Sequence, residues 1–587
     1  MIVDYSIIAA YFLVMIALGI GFSRFNSNVS DFVRGGAQGS WWLVGGSILM
    51  SGISAFTFTG NGSAAFEGGP SMLIIYVGNC TALPLCALFL AAWFRQTRAH
   101  TSVDVLRARF GPVVEQFSAF QGLLLGPLTS AIQLWALSVF AADFFQVPLS
   151  ACIVVIGAVV VIYSTTGGRW AVAATDFVQG VLLFAVTLLV AVLAIRHIGG
   201  VGAFLSYFSD PRFADDFALV KESDQFKEGR YSAKWLVAIF IMQVYNQINL
   251  SSAGRFLSVK DGREACRAAW FAFALMAIGA LAWAIPPMVA RFLYAEEVMA
   301  LGGKNPGELA YSYLARQVLP AGMMGLLVAA MFAATSSSMD TGLNNQVGVL
   351  VRNVIPRIRA AFGRTEPLSD KSGLLLCKVL TVVMGAIVIG YALLFSTRRE
   401  LVLFEAFFVI STTVGIPLAL PTLAGLWFKA MPRWSYFLVA GACLVPSAFF
   451  VYDSKVNGAV WTIQDRALWI FGVGVVATAA ACLLRKTVSD AARAETEAFF
   501  KNMRTPVDFA REIGANRDKA QCLMLGRSCL VVAAAAALLF LIARDATAFV
   551  CVAALVAFIG GIGGLLIRAG RRTPEDSAHS GGVSEKA

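Results

Sequence analysis

Apolar stretches about as long as a bilayer is thick recur from one end of this chain to the other, and they constrain its fold more than any other feature. A spanning helix needs roughly 20 mainly apolar residues, and about fifteen segments meet that length. They run over 5–23, 41–60, 71–94, 117–141, 147–163, 175–196, 234–252, 267–292, 320–350, 372–396, 401–428, 434–452, 466–484, 526–543 and 547–568. The composition agrees. Of 587 residues 58% are hydrophobic and only 14% are charged, against about 25% charged in soluble chains. Lipid is therefore the main solvent, and an all-α polytopic membrane protein is expected.

The net charge of +11 would raise nucleic acid as a partner in a soluble protein. Here the basic residues sit in short loops, and those loops follow the odd-numbered spans. Arg24 and Arg34, Arg95 and Arg98, Arg255 and Lys260, Arg352 and Arg357, and Arg571 and Arg572 all follow this pattern. Such a bias marks cytoplasmic loops. It predicts a cell-membrane protein with its N-terminus outside and its C-terminus in the cytoplasm, and it points away from nucleic acid. The first apolar run has no basic residues before it and no small-residue cleavage site after it, so no signal peptide is expected. Ten scattered cysteines and three distant histidines support neither a metal centre nor a disulfide framework.

The polarity divides the chain. Residues 1–484 form the expected core. Residues 485–525 are polar, with Phe499, Phe500 and Phe509 among mixed charges, and read as cytoplasmic linker helices or as a regulatory, partner-binding segment. Residues 526–568 add two further spans, and 569–587 read as a disordered cytoplasmic tail.

Three spans are too polar for plain membrane anchors. The second, from Gly45 to Gly62, crowds glycines and hydroxyls at its middle. Small residues permit close helix packing. They also suit a broken helix, whose unwound carbonyls ligate a cation where they line a cavity. The seventh span holds Gln243, Tyr245, Asn246, Gln247, Asn249, Ser251 and Ser252, which must face a cavity or other helices. Two interrupted spans five apart are what an inverted repeat would show, with 2–6 repeated as 7–11. The ninth holds Ala334, Ser337 and Ser338. There the carbonyl and the two hydroxyls suit a hard cation, or the serines bond back to their own helix. Asp176 is placed at the start of the sixth span after a turn at Thr166-Gly167-Gly168. It fits a helix cap or a group that steers a cation. Thr57, Gln243, Tyr245 and Asn246 are expected to line one solute cavity, with helix ends there favouring a small carboxylated or polar metabolite.

Several stretches resemble the sodium:solute symporter family. They are Gly52-Ile53-Ser54-Ala55 with Gly60, Gly167-Gly168, Thr175-Asp176-Phe177-Val178-Gln179, Asn249 to Lys260, Ala333 to Asn344, and Ala424 to Lys429. The resemblance covers about residues 5–484. It implies a LeuT-like fold of two five-helix inverted repeats, about 41–196 and 234–428. It also implies a sodium site built from the carbonyls of Met50, Ile53 and Ala334 and the hydroxyls of Ser337 and Ser338. Asp176 would lie on the ion path, and Tyr245 would be an inner gate. Positions where sugar carriers of the family place amides read Gly52, Thr57 and Phe408, which argues against a hexose.

The expected function is therefore sodium-coupled symport of a small polar solute by alternating access, with sodium as the coupling ion and no other cofactor. A transporter-like solute sensor is the alternative. An enzyme is not expected, since no HExxH, GxSxG or P-loop motif stands in a supporting context.

Overall fold

The apolar runs fold as helices. The computed structural model describes residues 37–573 except Asn249 and residues 302–304, 365, 367, 368, 398–402 and 515–517, together with a few single residues before 37. Among the described residues, eleven helices are long and apolar enough to cross a membrane, and Leu149–Ile162 is apolar but shorter. The expected count of about fifteen is not reached, for local reasons. The run 5–23 lies almost wholly outside the described residues. The run at 41–60 is divided at Ile53, and the run at 234–252 includes Asn249, which lies outside the described residues.

The division at Ile53 follows from its sequence. Helix α1 (Trp41–Gly52) stops at Ile53, which is extended at φ −117° and ψ 138°. Ser54 is extended too, and its hydroxyl accepts from the backbone of Phe56 while Thr57 Oγ1 accepts from Ser54 N. This reciprocal cap starts α2 (Ala55–Phe58), which leads into α3 (Gly60–Gly68). A serine three residues before a threonine thus writes a new helix start inside an apolar run. Helices α8 (Ala233–Ile248) and α9 (Leu250–Phe256) flank Asn249, which lies outside the described residues.

The remaining long helices of the core are α4 (Ile74–Phe89), α6 (Pro112–Phe145), α7 (Leu149–His197), α10 (Gly262–Ala300), α11 (Met323–Val349), α12 (Asp370–Thr397) and α14 (Ile416–Trp427). The short α5 (Ser102–Phe110) precedes α6, and α13 (Leu403–Ile410) joins α14 through a π-turn at Ser411–Gly415. They sort into two groups. In one, α10 packs on α1 and α4, and α4 packs on α8. In the other, α11 packs on α6 and α7, and α12 packs on the same two helices. Helix α7 also reaches across to α1 and α10.

One expectation is corrected. The turn at Thr166-Gly167-Gly168 is helical, so the fifth and sixth runs form the single 49-residue helix α7. Away from water, backbone groups released by a turn find no other partners, so two glycines do not suffice to end a helix. Asp176 is then inside a helix rather than at its start, and the capping reading of this residue falls.

The core ends with α15 (Ser435–Val456) and α16 (Ile463–Leu483), and beyond it come the polar α17 (Asp490–Arg504) and the hairpin of α18 (Asp518–Ala537) on α19 (Ala546–Arg572). The polar segment is tied to the core by ion pairs. Arg98 meets Glu512 at 2.8 Å, Lys429 meets Glu497 at 3.1 Å, and Arg433 pairs with Glu495. Ser40 Oγ lies 2.7 Å from both Asp518 and Gln521, and Lys260 pairs with Asp518. At the opposite end, the loop after α7 is pinned by Lys221. Its ammonium donates to Gly68 O and Ser71 Oγ, and burial pushes its pKa down to about 8.

Candidate functional site

The two groups of helices meet at the break between α1 and α2. Ser338 of α11 places its hydroxyl 2.7 Å from the carbonyl oxygen of Ile53, 3.1 Å from that of Ala334, 3.3 Å from that of Met50 and 3.4 Å from that of Ser51. A hydroxyl has one proton and can satisfy one of four acceptors at a time. The cluster is therefore rich in negative oxygen and short of donors, the composition that suits a hard cation. Met50, Ile53, Ala334 and Ser338 are brought together as expected. Ser337 is buried beside them, but its hydroxyl has no hydrogen-bond partner among the described residues. A buried hydroxyl left unpaired costs free energy unless something fills the place.

Two further ties join the helices here. Thr335 Oγ1 accepts from Ala55 N at 2.9 Å, holding the start of α2 against α11. One turn away lies a buried ionic network. Ser47 Oγ donates to Asp176 at 2.6 Å. Arg255 of α9 lies 3.6 Å from the same carboxylate oxygen, donates to the carbonyl and hydroxyl of Ser47, and reaches Thr341 of α11. Asp340, also buried, accepts from Ser164 of α7. Sequence reasoning gave Arg255 as a charge that marks a cytoplasmic loop and as part of a family-like stretch, with no role in a site, and it gave none to Ser47, Thr335 or Thr341. Their signal was spacing: Ser47 stands three residues before Met50, and Thr341 three after Ser338, which places each on the same helix face as its neighbour.

Beside this cluster is a cavity of about 570 Å³, within the usual range for small-molecule sites. Thr57, Gln243, Tyr245 and Asn246 all line it, as does Ser338. The four residues expected around a solute thus share one cavity with the hydroxyl at the centre of the oxygen cluster. Thr57 also closes the cap of α2, so it has a structural duty. Tyr245 donates its hydroxyl to Gly415 O at 2.9 Å, at the end of the π-turn, and Asn246 accepts from Ser411 Oγ at 3.2 Å. Gly78 of α4 is required here, because a Cβ would stand 2.6 Å from Gln243 Cβ. Asn249 and the side chains of Ser251 and Ser252 lie outside the described residues. Among the described residues lining the cavity, Arg255 is the single charged side chain; the rest of the polar wall is amide and hydroxyl.

The comparisons with known proteins agree with this geometry. The model of the sodium:solute symporter family matches residues 32–431. The sodium/sialic acid symporter SiaT of Proteus mirabilis is 23% identical over 443 residues, 73% of this chain and 85% of that one. Sodium/glucose cotransporter 1 of Mus musculus is 23% identical over 474 residues, 74% of this chain and 69% of that one. Among solved structures, the substrate-bound outward-open state of a Na⁺-coupled sialic acid symporter superposes with a TM-score of 0.68 at 20% identity. It covers 83% of this chain and 98% of that chain. At that identity the likeness speaks for the fold, which is the LeuT-like arrangement.

Proposed function

The chain belongs to the sodium:solute symporter family and is a sodium-coupled symporter, not an enzyme, and from that premise we propose where the ion and the solute bind. Sodium occupies the oxygen cluster between the α1–α2 break and α11. Its ligands are the carbonyls of Met50, Ile53 and Ala334 and the hydroxyls of Ser337 and Ser338. The observation that carries this reading is the Ser338 hydroxyl within 3.4 Å of four carbonyl oxygens.

The solute occupies the adjoining cavity against Thr57, Gln243, Tyr245 and Asn246. It is small and polar and carries a carboxylate. Supporting this is the single cationic side chain, among the described residues, in an otherwise neutral polar wall. The protein sits in the cell membrane with its N-terminus outside and its C-terminus in the cytoplasm, by the loop charges. In that orientation the cavity opens inward, because its lining reaches Ser102, Val103 and Leu106 of α5, next to basic residues.

The coupling follows from position. The ion site is shared between the two helix groups, α1 on one side and α11 on the other. An occupied site holds them together and shapes the cavity wall beside it; an empty site lets them part toward the cytoplasm. Each positive charge that enters gains about 2.3 kcal/mol per 100 mV of membrane potential. Asp176 lies on the ion path, and Tyr245 serves as the inner gate.

The test is uptake into proteoliposomes. A thermal-shift screen of carboxylated metabolites in sodium buffer, sialic acid included, selects the solute. Its accumulation should require an inward sodium gradient and collapse when that gradient is dissipated. Equal accumulation driven by a proton gradient without sodium overturns the assignment of the ion.

A further inference from the structure

The Arg255–Asp176 pair is costly to keep, and the cationic wall and the ion path assigned to its members above do not account for the pairing itself. Both side chains are buried, Arg255 with 6% of its side chain exposed and Asp176 with 1%. Buried charges in a membrane protein are expensive and rarely serve stability alone. Their partners define the location. Ser47 stands one turn before Met50 on α1, and Thr341 stands one turn after Ser338 on α11. The guanidinium holds both, with Asp176 beside it. It therefore spans the same two helices as the oxygen cluster, one helical turn or about 5 Å further along. Arg255 also borders the cavity. It is carried on α9.

We infer that Arg255 is a tethered cation that empties the ion site: its fixed positive charge weakens sodium binding when the guanidinium is docked between Ser47 and Thr341, and so releases sodium to the cytoplasm. This rests on the assignment of sodium to the oxygen cluster. Arg255 is a positioning residue, acting on the ion through space and through the oxygens it occupies. Asp176 acts with the opposite sign. It draws a cation inward and sets how firmly the guanidinium is held. Two like charges about one helical turn apart at a partly buried site repel, and with the Asp176 carboxylate offsetting part of that repulsion the effect on affinity is about threefold to tenfold. A symporter gains from that repulsion only where sodium must leave, which is where the cavity reaches α5.

The experiment measures sodium affinity by equilibrium binding to the purified protein, together with net solute uptake and solute exchange in proteoliposomes. Arg255→Gln should bind sodium more tightly, by about threefold to tenfold on this Coulomb argument. It should lose net uptake while keeping exchange, because exchange does not require sodium release. Asp176→Asn should bind sodium more weakly. Arg255→Lys, which keeps the charge, should stay close to the parent protein in sodium affinity. A purely structural pair predicts the same sign for both charge-removing variants, with net uptake and exchange falling together, and that result overturns the proposal. If Arg255→Gln does not fold, the Asp176→Asn/Arg255→Gln double variant removes both charges. Sodium affinity at or above the parent level supports the tethered cation, and affinity below it overturns the idea. Ser338→Ala serves as the control. If it leaves sodium binding unchanged, the site assignment itself fails; if it weakens binding while the Arg255 variants do nothing, only the tethered cation fails.

Discussion

Helices α11 and α12 pack on the same neighbours and meet the membrane in opposite ways. Every residue in the most apolar 18-residue stretch of the α11 run is buried, against 28% for α12. Yet α11 is the more polar of the two. It carries Thr335, Ser336, Ser337, Ser338, Asp340, Thr341 and Asn344, all buried. Helix α12 turns Leu375, Val379, Val382 and Val383 outward. In water the apolar helix would be inside. In lipid there is no drive to bury apolar side chains, since the tails outside are as apolar as leucine. Polar groups, which lipid cannot solvate, are forced inward instead. The polar helix thus becomes the centre of the protein and the place where an ion can bind, while the apolar one becomes its skin.

The strongest way to break this comparison is to strip the polar helix. Ser337→Ala and Ser338→Ala should each shift the sodium dependence of uptake to higher concentration by roughly tenfold or more, with a smaller loss at saturating sodium. Removing one oxygen from a bound cation should cost on the order of 1–3 kcal/mol, as does the loss of a hydrogen bond to a charged group. A double alanine variant with unchanged sodium dependence would mean that α11 is polar for packing alone.

A second polar surface, on α8, sharpens the comparison. Gln243→Ala and Asn246→Ala should raise the solute Kd several-fold, on the order of 1 kcal/mol per lost hydrogen bond, and leave expression and sodium affinity near the parent values. Isothermal binding measurements separate the two affinities. Parent solute affinity in both variants would detach α8 from solute binding.

The smallest effect belongs to the outer helix. Val382→Ala and Val383→Ala on α12 should change thermal stability by no more than about 0.5 kcal/mol, the usual range for exposed sites without special partners, and transport by less than twofold. Loss of transport in either variant would show that this face of α12 meets protein rather than lipid.

Much of the architecture was legible beforehand because its signals are local. Apolar length identifies helices. Glycines and hydroxyls crowded near Gly52 marked the span that proves to be broken, while the Ser54–Thr57 cap that restarts it was read only from the structure. The polar residues of the second, seventh and ninth spans pointed to the regions that form the oxygen cluster and the cavity. The errors came where one local signal has two meanings. Gly167-Gly168 reads as a turn in water but is helical here, which carried Asp176 into the middle of a helix. Arg255 reads as a cytoplasmic loop charge, since a basic residue just after an apolar run is the usual topology signal. Its placement among Ser47, Asp176 and Thr341 depends on three helices distant in sequence.

The sequence by itself determined that this chain lives in lipid, that the run around Gly52 suits either a break or close helix packing, and which stretches are too polar to face the tails. These follow from the free energy of moving single groups out of water, which each residue carries wherever it sits. Only the tertiary structure decided that Ser338 stands among the carbonyls of Met50, Ser51, Ile53 and Ala334, and that Arg255 reaches across to Asp176. An ion site or a buried ion pair is a property of distances between groups, on a scale of 2 to 4 Å for direct contact. Those distances exist only once the two groups of helices have packed.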